Sequence, residues 1–131
     1  MIKVTQPIAE LTAAVLANQI SVESLVRQSL DEIARRDDLH AILEINPSAI
    51  EEAKKLDQDI AKGKTGKLIG IPFIAKDNFL TLNTHTTASS NILRPFVAPY
   101  QATSINRLKE AGAIMVAKAN MDAFALSLIH I

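Results

Sequence analysis

The sequence predicts an α/β chain, with helices packed around a mixed or mostly parallel sheet. Three observations predict it. Residues 1–62 carry three amphipathic helix patterns. Two short, continuous apolar runs, Ile71–Ala75 and Ala113–Ala117, have the length and composition of buried strands. A helix pattern ending at Gly112 leads directly into the second run, which gives the strand, helix, strand order of a β…αβ unit.

Each element follows from local residue chemistry. Thr5 or a neighbour is positioned to cap a first helix with Ile8, Leu11, Val15 and Leu16 on one face. Ser21 caps a second, whose inward stripe is Val22, Leu25, Val26, Leu30 and Ile33. Ala41–Ile45 is β-prone, and Asn46-Pro47 turns the chain after it. In the third helix Ser48 and Glu51 form an S-x-x-E capping box, and Ile50, Ala53, Leu56 and Ile60 supply the stripe. Glu51 and Lys55 add an i,i+4 pair, and Gly63 suits the C-terminal cap. The segment Ala61–Leu68, with two glycines and three lysines, reads as an exposed connector. Ile71–Ala75 is then a strand expected to be buried on both faces, with Pro72 near its entry, where a missing N–H is best tolerated. Ala102–Ala111 is a helix with Ile105 and Leu108 inward, stopped by Gly112, and Ala113–Ala117 suits a central strand.

Composition excludes several function classes. The chain has 131 residues, 48% of them apolar, so one small domain or a piece of a larger one can build a core. Fourteen basic and fourteen acidic residues cancel, so no net charge favours a nucleic-acid backbone or an anionic membrane. Zero cysteines remove disulfides, thiolate metal sites and a cysteine nucleophile. The N-terminus lacks a signal-peptide pattern, and the apolar run Leu68–Ala75 is too short to span a bilayer; the expected location is cytoplasmic. Charge is unevenly spread: residues 1–66 hold eleven acids and eight bases, and residues 67–131 hold three acids and six bases. The first part thus resembles solvated helices, and the second a buried sheet with hydroxyl-rich loops.

Lys76 is the candidate catalytic residue, because it ends an apolar strand and is followed at once by Asp77 and Asn78. Desolvation lowers a lysine pKa and can leave a neutral amine as a general base. The bland alternative is a strand-end lysine that reaches water or pairs with Asp77. Thr81, Thr84, Thr86, Thr87, Ser89 and Ser90 make a hydroxyl-rich loop, which can bind a polar substrate or simply stabilise its own turns. His40, His85 and His130 are too scattered for a local metal motif, and no metal site is expected. Gly63, Gly66 and Gly70 fit no phosphate-binding spacing, and the four phenylalanines stand singly.

The run from Gly70 to Ala125 resembles the amidase signature family. Gly70-Ile71-Pro72 through Lys76-Asp77-Asn78, then Thr86-Thr87-Ala88-Ser89, then Ala111-Gly112-Ala113 with Lys118 to Asn120, match three separated motifs of that family in order and spacing. Ala98 to Thr103 and Asn120 to Ala125 are similar to runs of its tRNA-dependent amidotransferase A-subunit branch, acting with Glu-tRNA(Gln) or Asp-tRNA(Asn). The likeness covers residues 5–125, more loosely before Gly66. It implies the N-terminal part of the amidase signature fold and a glutaminase that passes ammonia to a B subunit. That partner, with a C subunit, would handle tRNA and use ATP and magnesium; no cofactor is implied on this chain. The family's catalytic set is a serine nucleophile, a second serine preceded by a cis peptide, and a lysine. Only the lysine maps here, as Lys76, with the role of proton acceptor through the bridging serine.

The resemblance also sets where the pattern stops. The family continues past the Phe-Ala pair into a Gly-Ser-rich loop holding both serines. Here Leu126–Ile131 reads LSLIHI, the translation of CTG TCT CTT ATA CAC ATC, the end sequence of a transposon adapter used in preparing DNA libraries. Residues 126–131 are therefore expected to be a non-biological tail, and residues 1–125 the N-terminal portion of an amidase signature domain, helical over 1–62 and strand, loop, helix, strand over 68–125. Without either serine the 131-residue chain is expected to be inactive and prone to aggregate. Two other readings remain open. One is a stand-alone amidase of the same family; the other is a non-catalytic truncated module that binds a partner subunit.

Overall fold

The computed structural model describes residues 2–126. In order, its main elements are α1 (Ile8–Leu16), α2 (Val22–Arg35), β1 (Ile42–Ile45), α3 (Ala49–Ala61), β2 (Pro72–Lys76), α4 (Thr103–Glu110) and β3 (Ile114–Ala119). The strands form one mixed sheet in the order β1-β3-β2, antiparallel between β1 and β3 and parallel between β2 and β3. The predicted α/β class is thus observed, and β3 is central. Its register against β2 passes from Phe73 opposite Met115 to Ile74 opposite Ala117, leaving Val116 as an extra residue. Such a bulge shifts the side-chain alternation beyond it.

Helices α1 to α3 cover one face of the sheet. Leu11, Val15, Val22, Leu25, Val26, Ala53 and Leu56 pack with Ile69, Ile71, Ile114 and Val116 in one buried cluster. A smaller cluster of Ala75, Ile105 and Met115 seats α4. No helix among the described residues is long and apolar enough to cross a membrane.

Several helix ends follow the expected chemistry. The Ser21 hydroxyl accepts the Ser24 N–H at 3.1 Å. Gly63 (φ +96°) and Gly112 (φ +95°) close α3 and α4 in the left-handed conformation. Each donates its N–H to the second residue back from its helix cap while the following N–H reaches one residue further, the Schellman pattern: Gly63 to Ile60 and Lys64 to Asp59, then Gly112 to Lys109 and Ala113 to Leu108. A Cβ at Gly112 would lie 2.8 Å from Ile69 Cδ1 and 2.9 Å from its Cα, so this turn also permits close approach.

Other expectations are corrected. Pro7, not Thr5, occupies the N-cap of α1, and Ile8 and Leu16 are 53% and 44% exposed, with Leu11, Ala14 and Val15 facing inward. The Ser48–Glu51 capping box does not form: Ser48 is already in a helical conformation and its side chain makes no cap bond. Asn46 replaces it, accepting the Ser48 N–H at 3.0 Å and donating to Met115 O at 2.8 Å. Among the described residues Glu51 and Lys55 form no ion pair, while Glu52 takes Lys109 at 3.0 Å. Strand β2 is not buried on both faces. It lies at one edge of the described sheet, and Ile74 is 45% exposed.

Candidate functional site

The parallel strands β2 and β3 end together, with Lys76 opposite Ala119. Open α/β sheets place their ligand sites at such carboxyl ends. Three segments meet there: the turn following Lys76, the hydroxyl-rich loop of residues 81–90, and the exit of β3 at Lys118–Met121.

Lys118 is the unexpected residue. It stands in the central strand, 0% exposed, one residue after the continuously apolar run of β3. A buried ammonium is tolerated only when its hydrogens and charge are matched. Lys118 Nζ donates to Phe79 O at 2.8 Å, Thr81 Oγ1 at 3.0 Å, His85 O at 3.1 Å and Thr86 Oγ1 at 3.2 Å, and lies 3.3 Å from Asp77 Oδ1. Burial pushes its pKa below the usual 10.5, against the opposing pull of Asp77 and, more weakly, Glu44. An ammonium has three hydrogens, so five surrounding oxygens leave none for a ligand. Lys118 is therefore an internal anchor.

Its partner Asp77 is 2% exposed and organises the loop from the other side. Its second carboxylate oxygen accepts the N–H groups of Thr87 at 3.0 Å and Ser89 at 3.3 Å, and the Thr87 hydroxyl as well. Its backbone carbonyl accepts the Ala88 N–H at 3.2 Å. These bonds hold Ala88 (φ +47°) and Ser89 (φ +52°) in consecutive left-handed conformations, which non-glycine residues rarely adopt. Ser89 Oγ in turn donates to Asn120 Oδ1 at 3.0 Å and accepts the Met121 N–H at 3.1 Å.

Lys76 is differently placed. Its side chain is exposed, and among the described residues it forms no ion pair; Asp77 pairs with Lys118 instead. Its amine is therefore accessible to a reacting group brought to the end of β2. Beside the cluster lies an open cavity of about 530 Å³, lined in part by Glu44, Asp77, His85, Ser89, Arg94 and Asn120; Lys76 does not line it. Glu44 accepts the His85 N–H at 2.8 Å and holds its ring Nδ1 at 3.2 Å.

Burial therefore falls on Lys118, while Lys76 is exposed at the end of β2. Once Ile114–Ala117 is placed in a central strand, a lysine directly after it is enclosed, and the hydroxyls of Thr81 and Thr86 become its partners. The readings for residues 127–131, His130 included, lie outside the described residues.

Known proteins agree with this architecture. The A subunit of glutamyl-tRNA(Gln) amidotransferase from Desulfatibacillum aliphaticivorans is 43% identical over 121 residues, covering 91% of this chain and 25% of that protein. The solved structure of native peptide amidase from Stenotrophomonas maltophilia superposes with a TM-score of 0.87 at 32% identity, over 92% of this chain and 26% of the amidase chain. An amidase family protein from Bacillus anthracis gives 0.85 at 36% identity, over 92% and 25%. The chain spans about a quarter of the length of the curated relatives it matches. A model of the amidase family matches residues 24–130, which take in the whole sheet, the Asp77–Lys118 pair and Lys76, and on that match the chain belongs to the amidase family.

Proposed function

We propose that this chain is the N-terminal part of the A subunit of an amidotransferase, a glutaminase whose ammonia serves the transamidation of Glu-tRNA(Gln) or Asp-tRNA(Asn). The observation that carries the reading is the 43% identity to the A subunit of a glutamyl-tRNA(Gln) amidotransferase, above the 32% and 36% to the two amidase structures. Lys76 is the proton acceptor in this reading. A lysine amine at the end of β2 takes the proton of a serine nucleophile through a bridging serine and returns it to the departing ammonia. Its amine, which forms no ion pair among the described residues, is open to a reacting group at the end of β2. Both serines lie outside these 131 residues in this reading, so the isolated chain hydrolyses no glutamine. The B and C subunits are the partners. ATP and magnesium belong to the partner that activates the tRNA-bound acid, and the assembly is cytoplasmic.

The TM-score of 0.87 to a peptide amidase favours a second reading, a stand-alone amidase acting on another amide. Amplifying the source DNA across the Ala125 codon and reading several hundred bases onward tests the proposal. A frame that continues into a Gly-Ser-rich loop with two serines supports it, and identifies Leu126–Ile131 as adapter-derived. A genuine stop after Ile131 overturns it in favour of a non-catalytic module that binds a partner.

A further inference from the structure

Around Lys76 the side chain is free but the backbone is not. Its carbonyl accepts the Phe79 N–H at 3.0 Å, and the next residue, Asp77, donates its N–H to Ala119 O at 3.1 Å. The Asp77 carbonyl and carboxylate then gather Thr87, Ala88 and Ser89. Lys118 gathers the same two segments from the opposite side, through Phe79 and Thr81 on one and His85 and Thr86 on the other. The turn leaving Lys76 and the loop at residues 85–86 are thus closed on a single ammonium.

Ser89 carries the connection to the exit of β3. Its hydroxyl bridges Asn120 and the Met121 N–H, and the neighbouring Ala88 carbonyl accepts the Phe124 N–H at 3.0 Å. The end of β2 and the segment leaving β3 therefore have a common fastening, built on two left-handed residues.

A buried ion pair is an inefficient source of stability, because desolvating both charges offsets their attraction; an apolar side chain at position 118 would fill a central strand at less expense. What such a pair does provide is one geometry instead of several, which is what a reacting side chain requires of its supports. We propose that Asp77, Lys118 and Ser89 form a positioning device that fixes the Lys76 backbone relative to the exit of β3, so that Lys76 meets its reaction partner in one orientation. The inference rests on the reading of Lys76 as the proton acceptor and deepens it: Asp77, Lys118 and Ser89 are positioning residues that act through Lys76.

The test uses the protein encoded by the complete reading frame, with glutamine as the probe and each variant assayed well below its own melting temperature. Ser89→Ala, which removes one hydroxyl and leaves the buried pair intact, is the mild variant; Asp77→Asn is the strong one. The expected result is a fall in kcat of about tenfold to a hundredfold with KM within about twofold of the parent, because misplacement of the reacting group slows the chemical step without weakening substrate binding. Hydrogen exchange at residues 77–79 and 87–89 should accelerate in the same variants while that of β3 stays unchanged. Unchanged kcat in both variants, or a rise in KM that accounts for the whole loss, overturns the inference. Lys76→Ala separates the two levels. If that variant retains full hydrolysis, the proton-acceptor reading itself fails; if it is inactive while Ser89→Ala and Asp77→Asn turn over normally, only the positioning inference fails.

Discussion

Replacing Lys118 by methionine keeps most of its apolar volume and deletes the ammonium, which makes it the sharpest perturbation of the buried pair. Four hydrogen-bond acceptors at 2.8 to 3.2 Å lose their donor, and Asp77, 2% exposed, loses its only ion-pair partner among the described residues. Removing one partner of a buried pair typically costs about 3–5 kcal/mol, because the remaining charge is stranded. The loss of the ammonium at the His85 carbonyl acts in the same direction but not additively, while the Phe79 carbonyl keeps the Thr86 hydroxyl at 3.3 Å. Asp77 keeps three donors from Thr87 and Ser89, which places the expected loss at the lower end, about 3 kcal/mol. The double variant Lys118→Met/Asp77→Asn removes both charges and should recover about 1 kcal/mol or more of it. Urea unfolding of parent, two single variants and the double variant, followed by far-UV circular dichroism, gives the coupling directly. A loss below about 1 kcal/mol for Lys118→Met, or a double variant less stable than Lys118→Met alone, would refute the argument.

Three further outcomes follow from the same geometry. Asp57 on α3 accepts the N–H groups of Val22 and Glu23 at 2.7 and 3.1 Å, capping α2 from outside it, so Asp57→Ala should lower stability by about 1–2 kcal/mol in urea unfolding. Gly112→Ala combines left-handed strain with a collision against the Ile69 backbone and should destabilise by about 2 kcal/mol or more, read as a lower thermal midpoint. Because burial lowers the Lys118 pKa below 10.5, the unfolded chain binds more protons than the folded one between that lowered value and 10.5. The stability of the parent relative to Lys118→Met should therefore rise with pH across that window and be flat below it; a fall there would contradict the assigned direction.

What the sequence made legible was what local chemistry decides. Ser21 caps α2 whatever surrounds it, and Gly63 and Gly112 end their helices because an L side chain resists the left-handed conformation those turns need. The apolar run of β3 and its central place could be read from composition alone. What was hidden depends on partners distant in sequence. Asn46 displaces the Ser48 capping box because Met115, 69 residues away, offers its carbonyl at the right place. Asp57 reaches across to α2 from 35 residues downstream. The hydroxyls of Thr81 and Thr86 look like loop chemistry until Lys118 is folded against them. Lys76 and Lys118 both adjoin apolar strand runs, and nothing local shows that the edge strand exposes one while the central strand encloses the other.

The proposed function makes Lys76 the residue that moves the proton in amide hydrolysis, and the most direct test is Lys76→Ala in the protein encoded by the complete reading frame, assembled with the B and C subunits that the proposal assigns to it. Glutamine hydrolysis should fall by about a thousandfold or more, while amidation of the tRNA-bound acid supplied with free ammonia continues at the parent rate. Glutamine hydrolysis that survives the substitution would remove Lys76 from the chemistry and contradict the account.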